Sequence, residues 1–210
     1  MAAGVLEIAH PLVRHKVTLL RDRATTTRDF RLIASEIAGM LAYEATRELE
    51  LEAVPVETPL RRTQGVAISG KKVGVVPILR AGVGMLDGVL AMIPVARVGF
   101  LGIYRDEETL RPVAYYQKLP ADLEEREVLL LDPMLATGGS AAHAARTVKE
   151  AGARSVRLLS IIAAPEGIAA LQAAHPDVGI VVAAVDEGLD ENGYIVPGLG
   201  DAGDRIWGTR

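Results

Sequence analysis

The chain has 210 residues, half of them hydrophobic and only 4% aromatic, and its net charge is −4. An acidic chain lacks the basic surface that a general nucleic-acid-binding protein needs, and the absence of cysteine excludes disulfides, thiolate catalysis and cysteine-ligated zinc. No stretch reaches the roughly 20 apolar residues that span a bilayer and no secretory signal is visible, so we expect a cytoplasmic protein that binds neither membrane nor nucleic acid.

The first predicted element is an amphipathic helix from Thr26 to Glu48. Apolar residues recur there at helical spacing, namely Phe30, Ile33, Ile37, Met40 and Leu41. Thr26 and Asp29, three residues apart, resemble a capping box. The pattern indicates a helix that packs on the core.

Beyond this helix, strands and helices alternate. Short apolar runs predict buried strands at Lys72 to Leu79, Ala96 to Tyr104, Glu127 to Leu131, Ser155 to Ala163 and Gly179 to Val185. Helices are predicted between them at Val83 to Ile93, Gly138 to Ala151 and Pro165 to Ala174. This alternation is typical of a mostly parallel sheet flanked by helices, so we predict one α/β domain over residues 1–210. Ligands of such sheets bind at the carboxyl ends of the strands.

The first of these strands runs into a loop with a cation and a glycine, in the sequence VVPILRAG. The guanidinium of Arg80 can form paired hydrogen bonds with phosphate oxygens, and Gly82 lets the backbone close around them. The alternative is an exposed arginine that merely follows a strand.

Residues Arg105 to Pro120 interrupt the alternation. The segment is polar, and it begins with an acidic run after Arg105. We predict a protruding hairpin or flexible arm, whose acidic residues form a solvated face.

The most informative stretch reads EVLLLDPMLATGGS. An apolar strand ends at Asp132, which can accept hydrogen bonds from a vicinal diol such as a ribose. The next helix opens at Thr137 to Ser140, where glycines allow close approach of an anion, hydroxyls add donors and unpaired N–H groups favour negative charge. The loop lacks the lysine of a Walker loop and the glycine spacing of a Rossmann fingerprint. The alternative is an ordinary glycine-rich turn.

The C-terminal segment, residues 186–210, is rich in glycine without periodicity. It predicts irregular backbone, either a loose tail or a shaped binding loop. The four histidines have no spacing that suggests a metal site, and we expect Trp207 to pack against the core or a subunit. Arg61 and Arg62 are either structural or contact a neighbouring subunit.

Several motifs together resemble the uracil phosphoribosyltransferases, a branch of the type I phosphoribosyltransferases. The matching segments read PILRAG, YRDEET, DPMLATGGS and YIVPGLGDAGDR. Type I relatives usually carry two adjacent acidic residues at the strand end, whereas this chain has Asp132 followed by Pro133. That departure is itself similar to the uracil-specific branch. The resemblance implies a type I phosphoribosyltransferase fold with a hairpin arm at 105–120 and a uracil-binding hood at 186–210.

The resemblance also implies the reaction and its residues. Uracil and phosphoribosyl pyrophosphate (5-phospho-α-D-ribose 1-diphosphate) would give UMP and pyrophosphate in pyrimidine salvage. The residues implied to bind phosphoribosyl pyrophosphate are Arg80, Arg105, Asp132, Pro133, Met134, Leu135, Ala136, Thr137, Gly138, Gly139, Ser140 and Asp201. Those implied to line uracil are Ile195, Gly200, Asp201 and Ala202. Asp201, Arg80 and Arg105 are the implied catalytic residues.

The same resemblance implies Mg²⁺ held mainly by substrate and water, with no protein metal site. It further implies a homodimer or larger homo-oligomer, and GTP activation as in some members. Two alternatives stay open at this point: a phosphoribosyltransferase for another base, and a pyrimidine-responsive regulatory RNA-binding protein on the same fold. The acidic balance argues against the second.

Overall fold

The computed structural model describes residues 4–70, 73–105 and 112–209. Its strands are β1 (Val5–Glu7), β2 (Leu51–Glu57), β3 (Arg62–Ile68), β4 (Val73–Leu79), β5 (Arg97–Val98), β6 (Phe100–Arg105), β7 (Pro112–Lys118), β8 (Glu127–Leu131), β9 (Met134–Leu135), β10 (Ser155–Ala163), β11 (Gly179–Val185), β12 (Gly188–Leu189) and β13 (Ile195–Val196). Its α-helices are α1 (Pro11–Arg21), α2 (Thr27–Ala45), α3 (Val83–Met92), α4 (Gly139–Glu150), α5 (Pro165–Ala174) and α6 (Ala202–Trp207). None of these described helices is long and apolar enough to cross a membrane.

In the described ranges, nine strands form one central sheet in the order β1-β11-β10-β8-β4-β6-β7, with β5 on β4 and β9 on β10. Only β6 and β7 pair in antiparallel fashion there; the other ladders are parallel. The prediction of a mostly parallel sheet is confirmed. The carboxyl ends of β4, β8 and β10 therefore meet at one edge of the sheet.

The buried strands contribute side chains to two apolar clusters, one on each face of the sheet. In β8, Leu129 and Leu131 join one cluster, and Val128 and Leu130 join the other. Helices α1, α2, α3 and α6 cover the first cluster, whereas α4 and α5 cover the second. The helices thus lie on both faces of the sheet.

The predicted long helix begins at its predicted cap and ends slightly early. The Oγ1 of Thr26 accepts a hydrogen bond from the N–H of Asp29 at 3.2 Å, which confirms the N-terminal cap. The helix ends at Ala45 rather than Glu48, because the N–H of Thr46 already closes the last turn. The predicted strand from Ala96 to Tyr104 is divided at Gly99, whose N–H donates to the carbonyl of Val75 at 2.9 Å.

Two regions lie outside the sequence-based predictions. Helix α1 begins after a cap in which His10 Nδ1 accepts from the N–H of Leu12 at 3.1 Å. The hairpin of β2 and β3 is antiparallel and exposed along nearly its whole length. Its apolar side chains include Leu60, which is 95% exposed, and Val66, which is 69% exposed.

The polar arm is a hairpin, as predicted, but it starts at Phe100 instead of Arg105. Strands β6 and β7 pair with a register shift between Gly102 and Ile103, and their base packs against α4. The tip at 106–111, together with the side chains of Arg105 and Pro112, lies outside the described residues.

Candidate active site

The Arg80 loop, residues Arg80 to Gly82, leaves β4 directly beside the end of β8. Pro77 pairs with Leu131 across these strands, and the peptide bond that precedes Arg80 is cis. A Cβ added to Gly82 would lie 2.2 Å from the carbonyl oxygen of Leu131. Only glycine therefore lets this loop rest against the residue that precedes Asp132.

The Asp132 loop, residues Asp132 to Gly138, is held by its backbone to β10. The N–H of Asp132 donates to the carbonyl of Leu159 at 3.2 Å, and the carbonyl of Asp132 accepts from Ser160 Oγ at 2.7 Å. The carbonyl of Pro133 accepts from two consecutive N–H groups of β10 at 3.0 and 3.1 Å. The loop is consequently fixed at the carboxyl edge of the sheet.

The carboxylate of Asp132 is half-buried and poorly hydrogen-bonded. Its Oδ1 accepts a long hydrogen bond, 3.5 Å, from the N–H of Met134. Burial raises the pKa of this carboxyl to about 7, and the Met134 N–H opposes the shift only in part. A strand-end carboxylate that ionises near neutrality is suited to accept hydrogen bonds from a ligand hydroxyl.

The N-terminus of α4 is arranged to receive an anion. Its N-cap, Gly138, has a φ of 79° and offers no side-chain cap to the N–H groups of the first turn. Thr137, just before the cap, is exposed. A Cβ on Gly138 would lie 2.7 Å from the carbonyl of Gly167, so the loop also needs glycine in order to pack on α5. First-turn N–H groups that have no side-chain cap and the helix dipole together attract a phosphate.

The C-terminal hood, which the structure describes over residues 186–209, is a shaped loop and not a loose tail. Strands β12 and β13 pair, the Val196–Pro197 bond is cis, and Gly198 and Gly200 have positive φ values of 64° and 76°. The side chains of Ile195 and Ala202 are buried in the apolar core, whereas Gly200 and Asp201 are exposed. Any planar ligand at Ile195 or Ala202 would therefore meet backbone groups.

Asp201 caps the helix that follows it. Its Oδ1 accepts a hydrogen bond from the N–H of Asp204 at 2.9 Å. Although the sequence predicted irregular backbone here, α6 forms over residues 202–207. The spacing of Asp201 and Asp204 is the capping signal that could have identified it.

Helix α6, which belongs to the hood, contacts the Arg80 loop and the helix that follows that loop. A Cβ on Gly84 would lie 2.8 Å from Ile206, and the Nε1 of Trp207 donates to the carbonyl of Arg80 at 3.3 Å. Since the Arg80 loop also rests on Leu131, the residue before the Asp132 loop, direct contacts connect the three predicted segments. Among the residues predicted to act there, the side chain of Arg105 lies outside the described part of the chain.

A cavity of about 750 Å³ lies elsewhere, between α1, α2 and α3, and its lining includes His10, Lys16 and Tyr43. No residue of the Arg80 loop, the Asp132 loop or the hood lines it.

Across residues 4–70, 73–105 and 112–209, no group of three histidine, aspartate or glutamate side chains could hold a metal ion.

Around the hood, the structure shows contacts that the sequence did not indicate. Arg21, at the end of α1, pairs with Asp186, and Arg205 binds carbonyls of the hood and of the α1 C-terminus. The two members of the first pair are 165 positions apart, so no local pattern could have linked them.

Comparison with known proteins agrees with these motifs. A sequence model described as "Uracil phosphoribosyltransferase" matches residues 7–209. The chain is 58% identical over 206 residues to a protein of Clostridium acetobutylicum with the same description, covering 98% of this chain and 99% of that protein. Its fold is similar to the solved AQ2163 protein of Aquifex aeolicus, with a TM-score of 0.94, 41% identity and coverage of 98% and 99%.

A more distant likeness is to the adenine phosphoribosyl transferase of Trypanosoma brucei, with a TM-score of 0.60 and 14% identity. The match covers 91% of this chain and 88% of that one. At that identity the likeness shows a shared fold alone.

Proposed function

The chain belongs to the uracil phosphoribosyltransferase family, and on that premise we propose that it makes UMP in the cleft where the Arg80 loop, the Asp132 loop and the hood meet. The predicted fold, family and reaction are confirmed by these relatives, and none of them favours a regulatory RNA-binding protein. The observation that carries the assignment to this cleft is the contact of α6 with the Arg80 loop, which in turn rests on Leu131.

Phosphoribosyl pyrophosphate would bind along the Asp132 loop. The 5′-phosphate would accept hydrogen bonds from the backbone N–H groups and hydroxyls of Thr137 to Ser140, where the first turn of α4 has no side-chain cap. Residues 133–136 would line the ribose. The carboxylate of Asp132 would accept hydrogen bonds from both ribose hydroxyls.

Arg80 would bind the pyrophosphate that leaves. Its side chain is exposed, and its guanidinium can form two parallel hydrogen bonds with phosphate oxygens. Arg105 would add a second cation, as the family resemblance implies. Negative charge grows on the pyrophosphate as its bond to C1 breaks, so these cations stabilise the transition state more than the ground state.

Uracil would be recognised by the hood backbone around Ile195, Gly200 and Ala202. The base alternates carbonyl and N–H groups along its edge, and backbone N–H and C=O groups can match that alternation. Cytosine would be rejected, since its amino group places a donor where uracil has an acceptor.

The transfer itself needs positioning more than a protein nucleophile. The bond from C1 to the pyrophosphate oxygen breaks, C1 acquires oxocarbenium character, and N1 of uracil forms the new bond as it loses its proton. Asp201, which the family resemblance implies as a catalytic residue, is our candidate to accept that proton. Because its Oδ1 caps α6, its second oxygen would do so.

Mg²⁺ would bind at this site together with the substrate phosphates. The described residues offer no cluster of three metal-binding side chains, so phosphate oxygens and water would supply most ligands, with Asp201 as the protein carboxylate that the family resemblance implies. When bound, the ion supplies positive charge to the pyrophosphate.

We expect kcat/KM for phosphoribosyl pyrophosphate to rise as the pH increases through about 7. The pKa of Asp132 is raised by burial to about 7, and only the ionised carboxylate offers both of its oxygens as charged acceptors. A pH profile from 5.5 to 9 at saturating uracil measures this, because kcat/KM reports groups of the substrate and of the enzyme form that binds it. The same profile for Asp132→Asn, at its lower rate, should lose this inflection and keep only that of the substrate phosphates. An inflection that is identical in the variant would assign it to another group.

A homo-oligomer is supported by the exposed hairpin of β2 and β3. Leu51, Leu60 and Val66 of this hairpin are each more than 60% exposed, and contact with a second subunit would cover them. Light scattering of the purified chain tests the oligomeric state.

A GTP effector and a cytoplasmic location stay predictions. UMP formation measured with and without GTP tests the GTP effector. We treat residues 1–210 as one domain, because both apolar clusters pack on one sheet.

The direct test is UMP formation from uracil, phosphoribosyl pyrophosphate and Mg²⁺, compared with cytosine and hypoxanthine. We expect turnover with uracil and at least about 100-fold less with either other base. Greater turnover with hypoxanthine would assign another base to the cleft. Salt-dependent RNA binding without transfer would support the regulatory alternative.

A further inference from the structure

Gly198 is the middle of the turn that carries the uracil-binding backbone. It follows Ile195 by three positions and precedes Gly200 by two. Its φ is 64°, and a Cβ there would lie 2.0 Å from the carbonyl oxygen of Ile195. The turn is therefore tight, and a small rotation at Gly198 moves the groups on both sides of it.

Both backbone groups of Gly198 are held by one ion pair. Its N–H donates to Asp186 Oδ2 at 2.9 Å, and its carbonyl accepts from Arg21 Nη1 at 2.8 Å. The same Nη1 donates to Asp186 Oδ2 at 2.8 Å, and Nη2 donates to Oδ1. The side chain of Asp186 is only 2% exposed and that of Arg21 is 26% exposed, so water screens the pair little.

The ion pair is itself anchored to the central sheet. The N–H of Asp186 donates to the carbonyl of Ala163 at the end of β10, at 2.8 Å. Ala164, the next residue, donates its N–H to the carbonyl of Leu135 in the Asp132 loop at 2.9 Å. The hood and the Asp132 loop are thus connected to the same strand end.

Arg205 holds the other side of the turn. Its Nη1 donates to the carbonyl of Leu199 at 2.8 Å, and its Nη2 donates to the carbonyl of Asp22 at 2.6 Å. Its Cζ lies 4.4 Å from the centre of the Phe30 ring, a cation–π distance. Two arginines therefore tie consecutive hood residues, Gly198 and Leu199, to the C-terminal end of α1.

We propose that Arg21, Asp186 and Arg205 are positioning residues for uracil: they set the hood turn so that its backbone matches the edge of the base. They act through Gly198 and Leu199 and not by contact with the substrate. This inference rests on the proposed function, because it takes the hood as the uracil site.

The chain offers a matched pair for comparison. Arg126 and Asp122 also form a two-bonded arginine–aspartate pair, at 2.9 Å for both hydrogen bonds. The side chain of Arg126 is 8% exposed, and it precedes β8 at the amino end of the sheet. Loss of this pair costs stability without touching the hood.

The experiment measures KM for each substrate in wild type, Arg21→Gln, Arg21→Lys, Arg205→Lys and the control Arg126→Gln, after correction for the active fraction. We expect Arg21→Gln to raise KM for uracil on the order of 10-fold, with KM for phosphoribosyl pyrophosphate changed less than threefold. Arg21→Lys keeps the charge without the paired donors and should fall between. Arg126→Gln should lower the melting temperature and leave both KM values unchanged.

Each outcome has one interpretation. If Arg21→Gln fails to fold, Arg21→Lys and Arg205→Lys decide, and both should raise KM for uracil selectively. KM values for the two substrates that rise in parallel, or a KM for uracil within twofold of wild type, would overturn the positioning role while the proposed function stands. A wild-type chain that makes no UMP would overturn the proposed function and this inference with it.

Discussion

Replacing Asp132 with asparagine should lower kcat/KM for phosphoribosyl pyrophosphate by about 10²- to 10⁴-fold and should also stabilise the folded chain at alkaline pH. The loss follows from two hydrogen bonds to an ionised acceptor, each worth about 1.5–3 kcal/mol. An amide oxygen carries no charge, and the adjoining NH₂ cannot accept from the second hydroxyl. Uracil would still bind, so its KM should change little.

The gain in stability follows from the pKa of Asp132, which burial raises from 3.8 to about 7. The folded state favours the protonated carboxyl. Its contribution to stability is complete below the unfolded pKa and is lost as the pH rises through the folded pKa. By pH 8 the free energy of unfolding of the wild type has fallen by roughly 2–4 kcal/mol. Asparagine does not titrate, so Asp132→Asn would keep this stability.

Urea unfolding of both proteins at pH 5 and pH 8 measures this. The advantage of Asp132→Asn in the free energy of unfolding should be larger at pH 8. Asp177→Asn is the control, because a hydrogen bond from Lys149 lowers the pKa of Asp177. Loss of that carboxylate should not raise the free energy of unfolding at either pH. Equal stability of wild type and Asp132→Asn at both pH values would contradict the account of Asp132.

Gly82→Ala should lower kcat by at least about 10²-fold and destabilise the fold by roughly 2–4 kcal/mol. The added Cβ would lie 2.2 Å from the carbonyl of Leu131 and 2.7 Å from that of Ile78, and backbone atoms of two paired strands cannot withdraw. The Arg80 loop must move instead, and Arg80 would leave the position in which we propose that it stabilises the departing pyrophosphate.

Kinetics and thermal unfolding of this variant are best compared with Gly4→Ala. Nothing lies within 4 Å of a Cβ at Gly4, so that change should be nearly silent. A Gly82→Ala protein with wild-type kcat would show that the close approach of the Arg80 loop to β8 has no part in catalysis.

Buried strands were the most predictable part of the fold. Strands β8, β10 and β11 and helix α5 have the bounds that the sequence predicted. Strands β8 and β11 are apolar runs followed directly by an aspartate, and Pro165 marks the boundary between β10 and α5. The division of one predicted strand at Gly99 depends on the carbonyl of Val75 in another strand, which no local pattern contains.

Exposed elements were less predictable. Strands β2 and β3 show almost no burial, so they lack the alternation of apolar and polar residues that reveals a half-buried strand. Helix α1 does carry a signal, with Pro11 in its first turn and Val13, Val17 and Leu20 buried along one side.

The residues of the candidate site also differ in how far the sequence alone could predict them. Asp132, Arg80 and Gly200 lie in short continuous motifs, since a loop that binds phosphate or a base uses neighbouring backbone groups. The residues that hold those loops come from distant parts of the chain. Arg21 and Asp186 meet only because α1 ends where β11 ends, so the tertiary fold is needed to reveal them.

A crystal structure of the chain with UMP tests the central claim most directly. Our account predicts the 5′-phosphate within about 3 Å of the N–H groups at the start of α4, the ribose hydroxyls on Asp132, and the base against the backbone from Gly200 to Ala202. UMP bound in the cavity between α1, α2 and α3, or with its phosphate away from α4, would contradict it.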